Sequence, residues 1–116
     1  MTRKEALAGL IENVEARNAD GRCRLTAKAF SQSVPHSFVW AAMDGSLDAA
    51  KALHEAVLPE WDCTLSIGAS HASLSEPIGI NPTRGWYPGP EAEADTPARA
   101  WLLAILRALY ARETDT

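Results

Sequence analysis

Asp95-Thr96-Pro97-Ala98-Arg99-Ala100-Trp101-Leu102-Leu103-Ala104-Ile105-Leu106-Arg107-Ala108-Leu109-Tyr110 is the stretch that decides how this chain folds. It opens as a helix should. Thr96 is placed to cap the free amides of a first turn, and Pro97 falls at the one helical position where a missing N–H costs nothing. Wound at the helical period, Ala98, Trp101, Leu102, Ile105, Leu106 and Leu109 share one face. At ~1.5–3 kcal/mol for each large apolar side chain fully buried, the last five of these supply a large share of the core's burial energy. Leu103 and Tyr110, with Arg99 and Arg107, form a second, mixed stripe behind that face. Either the N-terminal helix or a second copy of the protein can cover it, so these four residues are a candidate oligomer face and a homodimer is one expectation.

Immediately upstream, Glu91-Ala92-Glu93-Ala94-Asp95 is a local acidic cluster. Acids just ahead of a helix meet the positive end of its dipole, which accounts for them without a ligand. Before it, residues 77–90 carry Pro77, Gly79, Pro82, Gly85, Pro88, Gly89 and Pro90, a density of breakers that excludes a central strand. The same loop holds Arg84, Trp86 and Tyr87, residue types enriched at recognition hot spots. These either tuck back onto the domain or face a partner. Glu91 to Ala94 is expected to run as a short edge strand.

From Trp61 to Ile67 the period changes to two. Trp61, Cys63, Leu65 and Ile67 alternate with Asp62, Thr64 and Ser66, the pattern of a half-buried strand. Gly68-Ala69-Ser70 turns the chain, and His71–Ser75 returns antiparallel with Ala72 and Leu74 inward. Upstream, Ser46 caps a helix to about Leu58 that buries Ala49, Ala50, Leu53 and Val57, flanked by Leu47 and Leu58. Its alanines suit a helix lying flat on a sheet. Pro35–Trp40 has bulky groups without a clean period and is expected to be a connector that folds Phe38 and Trp40 onto the core's edge. Leu25, Ala29 and Phe30 indicate a short helix between Arg22 and Ser33. Thr2 and Glu5 form a capping box for a helix to Arg17, whose narrow stripe of Leu7, Leu10, Ile11 and Val14 places it on the outside.

The expected fold class is therefore α/β (α+β): a small antiparallel sheet of two to three strands packed by helices, with an added N-terminal helix. Two or three strands do not stand alone in water, so helices 46–58 and 96–112 must cover the apolar face. Residues 1–40 read as a helical N-terminal extension and 41–116 as an α-β-β-α core. With 116 residues, there is material for one domain. A net charge of −4 and a pI near 5.3 argue against nucleic acid and anionic membrane as partners. The start passes directly into an amphipathic helix, the longest apolar run (Ala100 to Leu106) is too short to span a bilayer, and Cys23 and Cys63 are far apart with no CxxC. A reduced, cytoplasmic setting is expected.

Ser46-Leu47-Asp48-Ala49-Ala50, then Leu58-Pro59-Glu60-Trp61 leading into a strand, then Glu93-Ala94-Asp95-Thr96-Pro97-Ala98-Arg99-Ala100 opening the last helix form a recognisable series. Across roughly residues 40–112 the chain resembles the phage ABA sandwich domain family, small proteins of bacteriophages and prophages. It departs from that pattern in the Pro/Gly-rich insert at 77–90. The resemblance implies an α/β sandwich and a viral or prophage origin within a bacterial host cell. It carries no catalytic residues with it.

Motifs for chemistry are sparse. His36, His54 and His71 show no HxxxH or HxH spacing and no cysteine partner at ligand distance in sequence. Cys63 lies on the buried face of its strand, where burial raises a thiol pKa; a pairing with His54 or His71 would lack an oxyanion hole and an orienting acid. Cys23, between Arg22 and Arg24, has the better claim to a lowered pKa. The serines contain no GxSxG, and the glycines make neither GxGxxG nor a P-loop. Neither catalysis, metal nor cofactor is expected. The leading functional expectation is a non-enzymatic accessory protein that binds a host or viral protein, a bacterial defence component among them, through Arg84, Trp86, Tyr87, Glu91 and Glu93. The alternative is a pocket lined by Arg84, Trp86 and Tyr87 that sequesters an anionic or nucleotide signal, since arginine recognises phosphate and aromatics stack. A third is a virion structural or assembly component.

Overall fold

The computed structural model describes residues 2–18, 21–30, 34–66, 68, 70–77 and 86–113, with the backbone alone at 76–77 and 86–89. Among them the order is α1 (Arg3–Ala16), α2 (Arg22–Phe30), α3 (His36–Met43), α4 (Leu47–Val57), β1 (Asp62–Ser66), β2 (His71–Pro77), β3 (Trp86–Glu93) and α5 (Pro97–Arg112). The strands form one antiparallel sheet in the order β1-β2-β3. The mixed α and β class expected from the sequence is the one observed.

The caps are where the side chains place them. Thr2 Oγ1 accepts from the Glu5 amide at 3.1 Å while Glu5 Oε1 accepts from the Thr2 amide at 3.3 Å. Ser46 Oγ accepts from the Ala49 amide at 3.2 Å and Thr96 Oγ1 from the Arg99 amide at 3.1 Å. Each satisfies a donor that a helix start otherwise leaves open. Gly45 ends α3 with φ of +103°, its amide bonding to Ala42 O and that of Ser46 to Ala41 O. That pairing is a Schellman turn, which glycine closes without a Cβ penalty.

α3 corrects the expected connector at 35–40. Pro35 stands before the first turn in an extended conformation, and Val39, Ala42 and Met43 then bury one side of two turns. Trp40 does reach a neighbouring element, donating from Nε1 to Thr26 Oγ1 on α2 at 3.1 Å. Along α1 and α2, Gly9 marks close approach, since a Cβ there would lie 2.8 Å from Leu25 Cδ2.

α5 is more central than a cover for the sheet. Ala98, Ala100, Leu102, Leu103, Ala104, Ile105, Leu106, Ala108 and Leu109 are all buried, so it is apolar on nearly every side, as an enclosed helix must be. One side lies on β2 and β3; α1, α3 and α4 take the others. α4 corrects a second expectation: it packs chiefly on α3 and α5 and not flat across the sheet. Its buried side is correspondingly rotated, burying His54 while Leu47 is exposed and Val57 half-buried. α1 corrects the expectation of an outside helix: Glu5, Glu12 and Glu15 are exposed, but it packs on α2 and α5, and Ala6, Leu7, Leu10 and Val14 belong to the same continuous core.

The sheet follows the period-two alternation. Cys63 and Leu65 alternate with exposed Asp62, Thr64 and Ser66; Ala72, Leu74 and Ala92 are buried. β3 begins at Trp86, five residues before the expected edge strand. It tolerates Pro88 and Pro90 because it is an edge, and because an irregularity between Ser73↔Glu91 and Ser75↔Pro88 lets three steps of β3 face two of β2. Ser31–Ser33, Ile67, Ala69 and residues 78–85 fall outside the described residues.

Candidate functional site

One face of the sheet is left to solvent, and it is built from polar residues at every second position. The register aligns them in rows: Asp62 beside Ser75, Thr64 beside Ser73 and Glu91, and Ser66 beside His71 and Glu93. Glu91 and Glu93 are exposed, flanking buried Ala92. The last row places serine, histidine and glutamate side by side, a grouping that only the hairpin register reveals. No side-chain hydrogen bond joins Ser66, His71 and Glu93, so the row does not form the bonded relay that nucleophilic catalysis uses.

Where β3 gives way to α5, the acidic run continues into a recess of about 340 Å³ lined by Val14, Glu15, Arg17, Glu93, Ala94, Asp95 and Leu103. α1 supplies one wall because Arg17 ends it in the left-handed region at φ of 58°. Asp95 sits between two guanidinium groups, with Oδ1 2.7 Å from Arg99 Nε and Oδ2 3.7 Å from Arg17 Nε. The Arg99 Nε–H is not aimed at that oxygen, so this contact is ionic rather than a directed hydrogen bond. The acids ahead of the helix thus hold arginines as well as facing a helix dipole.

Arg99 explains much of the surrounding geometry. Its side chain is 12 % exposed, Nη1 donates to Met43 O at 2.7 Å, and Nη2 donates to Val14 O at 2.7 Å. Both carbonyls lie in the last turns of helices, α3 and α1, where carbonyls lack intrahelical donors and a cation meets the negative dipole end. Two turns on, Arg107 donates from Nη1 to Glu91 O at 2.7 Å and pairs from Nη2 with Glu15 at 2.9 Å. Leu103, between them, is buried. Of the two covers expected for the Arg99–Leu103–Arg107 stripe, α1 is the one in place. Tyr110, fourth in that stripe, stays 38 % exposed beneath Lys4, whose Nζ lies 4.9 Å from the ring centroid.

Trp86 and Tyr87 lie on β3 opposite Pro77 and Glu76, and their side chains are outside the described set, as is Arg84 altogether. Glu91 and Glu93 are therefore the two expected contact residues whose exposure is on view.

The histidines go separate ways. His36 packs its ring 6.2 Å from that of Trp40, and His71 faces outward on β2. His54 is 6 % exposed and joins three elements. Trp101 Nε1, which can only donate, points at His54 Nδ1 at 3.1 Å, and the Trp61 carbonyl, which can only accept, lies 2.9 Å from Nε2. These partners assign the neutral tautomer with its proton on Nε2. A thiolate–imidazole pair with Cys63 is not formed. Burial, and secondarily the negative charge of Asp62, push the Cys63 thiol from its usual 9.0 up to about 11, the wrong direction for a nucleophile. Cys23 is exposed on α2. Among the described residues no group of three or more His, Cys, Asp and Glu converges to hold a metal, and no helix is long and apolar enough to cross a membrane.

No protein-family model, curated protein or solved structure matches this chain.

Proposed function

We propose that this is a non-enzymatic phage or prophage accessory protein that acts by binding a host or viral protein, with bacterial defence components as the class of target. The observation that carries it is the pair of exposed carboxylates, Glu91 and Glu93, on β3, a strip that runs on to Asp95, itself held between Arg17 and Arg99, beside the recess. The Trp86-Tyr87 pair lies on the same strand. A strip of carboxylates beside aromatic residue types suits a partner with a basic rim, since complementary charge steers encounter and aromatics anchor it. The viral assignment rests on the resemblance of the 46–61 and 93–100 segments to the phage ABA sandwich domain.

An anionic small-molecule ligand is disfavoured at the recess, where Glu93 is exposed and the lining cation, Arg17, already faces Asp95. A virion component would instead be found in purified particles.

The test is affinity capture from bacterial lysate with the native chain, with Trp86→Ala/Tyr87→Ala and with Glu91→Lys/Glu93→Lys. A specific host protein held by the native chain and lost by both variants is the expected result. Equal recovery of every protein by all three removes this strip as the binding surface.

A further inference from the structure

The sheet has two edges, and they are treated differently. On β3, Pro88 and Pro90 remove donors, the register irregularity bends the strand, and Arg107 occupies the Glu91 carbonyl. Those are the devices by which proteins keep an edge from pairing. β1 has none of them: Asp62-Cys63-Thr64-Leu65-Ser66 contains no proline and no cation, pairs with β2 in unbroken register, and among the described residues nothing bonds to its outer edge. A second observation points the same way. α5 covers β2 and β3 closely but β1 only slightly, so Cys63 and Leu65 are half-buried while Ala72 and Leu74 are fully buried. The open edge is thus flanked by an apolar strip that the subunit does not finish covering.

We infer that a second copy of this chain pairs along the outer edge of β1, antiparallel and centred on Thr64, joining the two sheets into one of six strands. The segment is complementary to itself in that register. Thr64 meets its own copy on the two-fold axis, Asp62 meets Ser66, whose hydroxyl can donate to the carboxylate, and Cys63 meets Leu65. The one charge on the strand therefore never faces itself, which matters for a chain of net charge −4. About four backbone hydrogen bonds would form across the axis, between Cys63 and Leu65 of the two copies, and the two apolar strips would merge on the inner side. An edge of this length supports a reversible, concentration-dependent dimer rather than an obligate one. It leaves Glu91, Glu93 and the recess free, so it stands independently of the proposed partner surface.

Sedimentation velocity on the full chain from micromolar to near-millimolar concentration tests this. Native protein is expected to shift from monomer towards dimer. Thr64→Lys and Thr64→Asp each place like charges on the axis and should sediment as monomers throughout, with native circular dichroism because Thr64 is exposed. Mixed in equal amounts, the two variants should recover the dimer as a heterodimer. A native chain that stays monomeric across the range, a dimer that persists in Thr64→Lys alone, or folded variants whose mixture remains monomeric would overturn the inference. Thr64→Cys in a Cys23→Ser/Cys63→Ala background adds a direct register readout. A covalent dimer on air oxidation is expected, and its absence at concentrations where the native chain dimerises would exclude the Thr64-centred register.

Discussion

Replacing Arg99 by alanine removes one guanidinium from the point where α1, α3 and α5 meet. The Val14 and Met43 carbonyls each lose a charged donor at 2.7 Å, and Asp95 loses its nearer counter-charge. A buried acceptor left without a partner costs ~1–3 kcal/mol, and breaking a mostly buried charge cluster by removing one member costs ~3–5 kcal/mol in comparable sites. Because Asp95 is itself about one-third exposed, water takes over much of its share; the Val14 carbonyl keeps the Arg17 amide at 3.4 Å, so the Met43 carbonyl dominates. The expected loss is about 2–3 kcal/mol, a sizeable part of the ~5–15 kcal/mol that holds a domain of this size. Arg99→Lys keeps the charge but not the fork that spans two carbonyls, so it should lose about half as much. Asp95→Asn should lose under about 1 kcal/mol. Urea unfolding followed by circular dichroism measures all three, with the midpoint falling in the order alanine, lysine, asparagine and the slope unchanged. An alanine variant within about 1 kcal/mol of the native chain would refute the claim that this side chain ties the helix ends together.

Trp101→Phe keeps the ring packing but leaves His54 Nδ1 without a donor, and should cost ~1–3 kcal/mol in the same unfolding assay; His54→Ala should then cost less in that background than in the native chain. Leu106→Ala, at a fully buried position of α5, should cost ~2–5 kcal/mol by thermal or urea unfolding. In native protein near neutral pH, iodoacetamide should label exposed Cys23 well before Cys63, and comparable rates at the two would contradict the raised Cys63 pKa. Because folding raises that thiol from 9.0 to about 11, its contribution is fully present below pH 9.0, and stability should decline as the solution is brought through that interval. Cys63→Ala should flatten the decline.

The elements with strong local chemistry were the legible ones. α5 declares itself through Thr96, Pro97 and its apolar spacing, and β1 through the switch to alternating exposure at Trp61. α3 was hidden because it is two turns long, opens on a proline without a side-chain cap, and is rich in Phe38, Val39 and Trp40, which suit strands as well as helices. Only the Val39–Ala42–Met43 spacing marked it. The central position of α5 was also understated: Ala100, Ala104 and Ala108, outside both stripes named from the spacing, are the small residues that let neighbours approach on its other sides. The length of β3 was obscured by Pro88 and Pro90, which argue against a strand in general but not against an edge. At the candidate site, the exposure of Glu91 and Glu93 follows from alternation alone. The Ser66–His71–Glu93 row does not, since pairing partners depend on the hairpin register, and neither do the Arg99 and Arg107 contacts, which join residues distant along the chain.

α5, on which the sheet, α1, α3 and α4 all pack, is also synthesised after each of them. Until residues beyond Pro97 emerge, α1, α3 and the sheet have nothing to close around, and the nascent chain must wait with Leu7, Leu53, Leu74 and their neighbours exposed to water. Cleavage or a premature stop within α5 would then not yield a trimmed protein but an unfolded one, which makes the integrity of its final turns a condition for the existence of the whole.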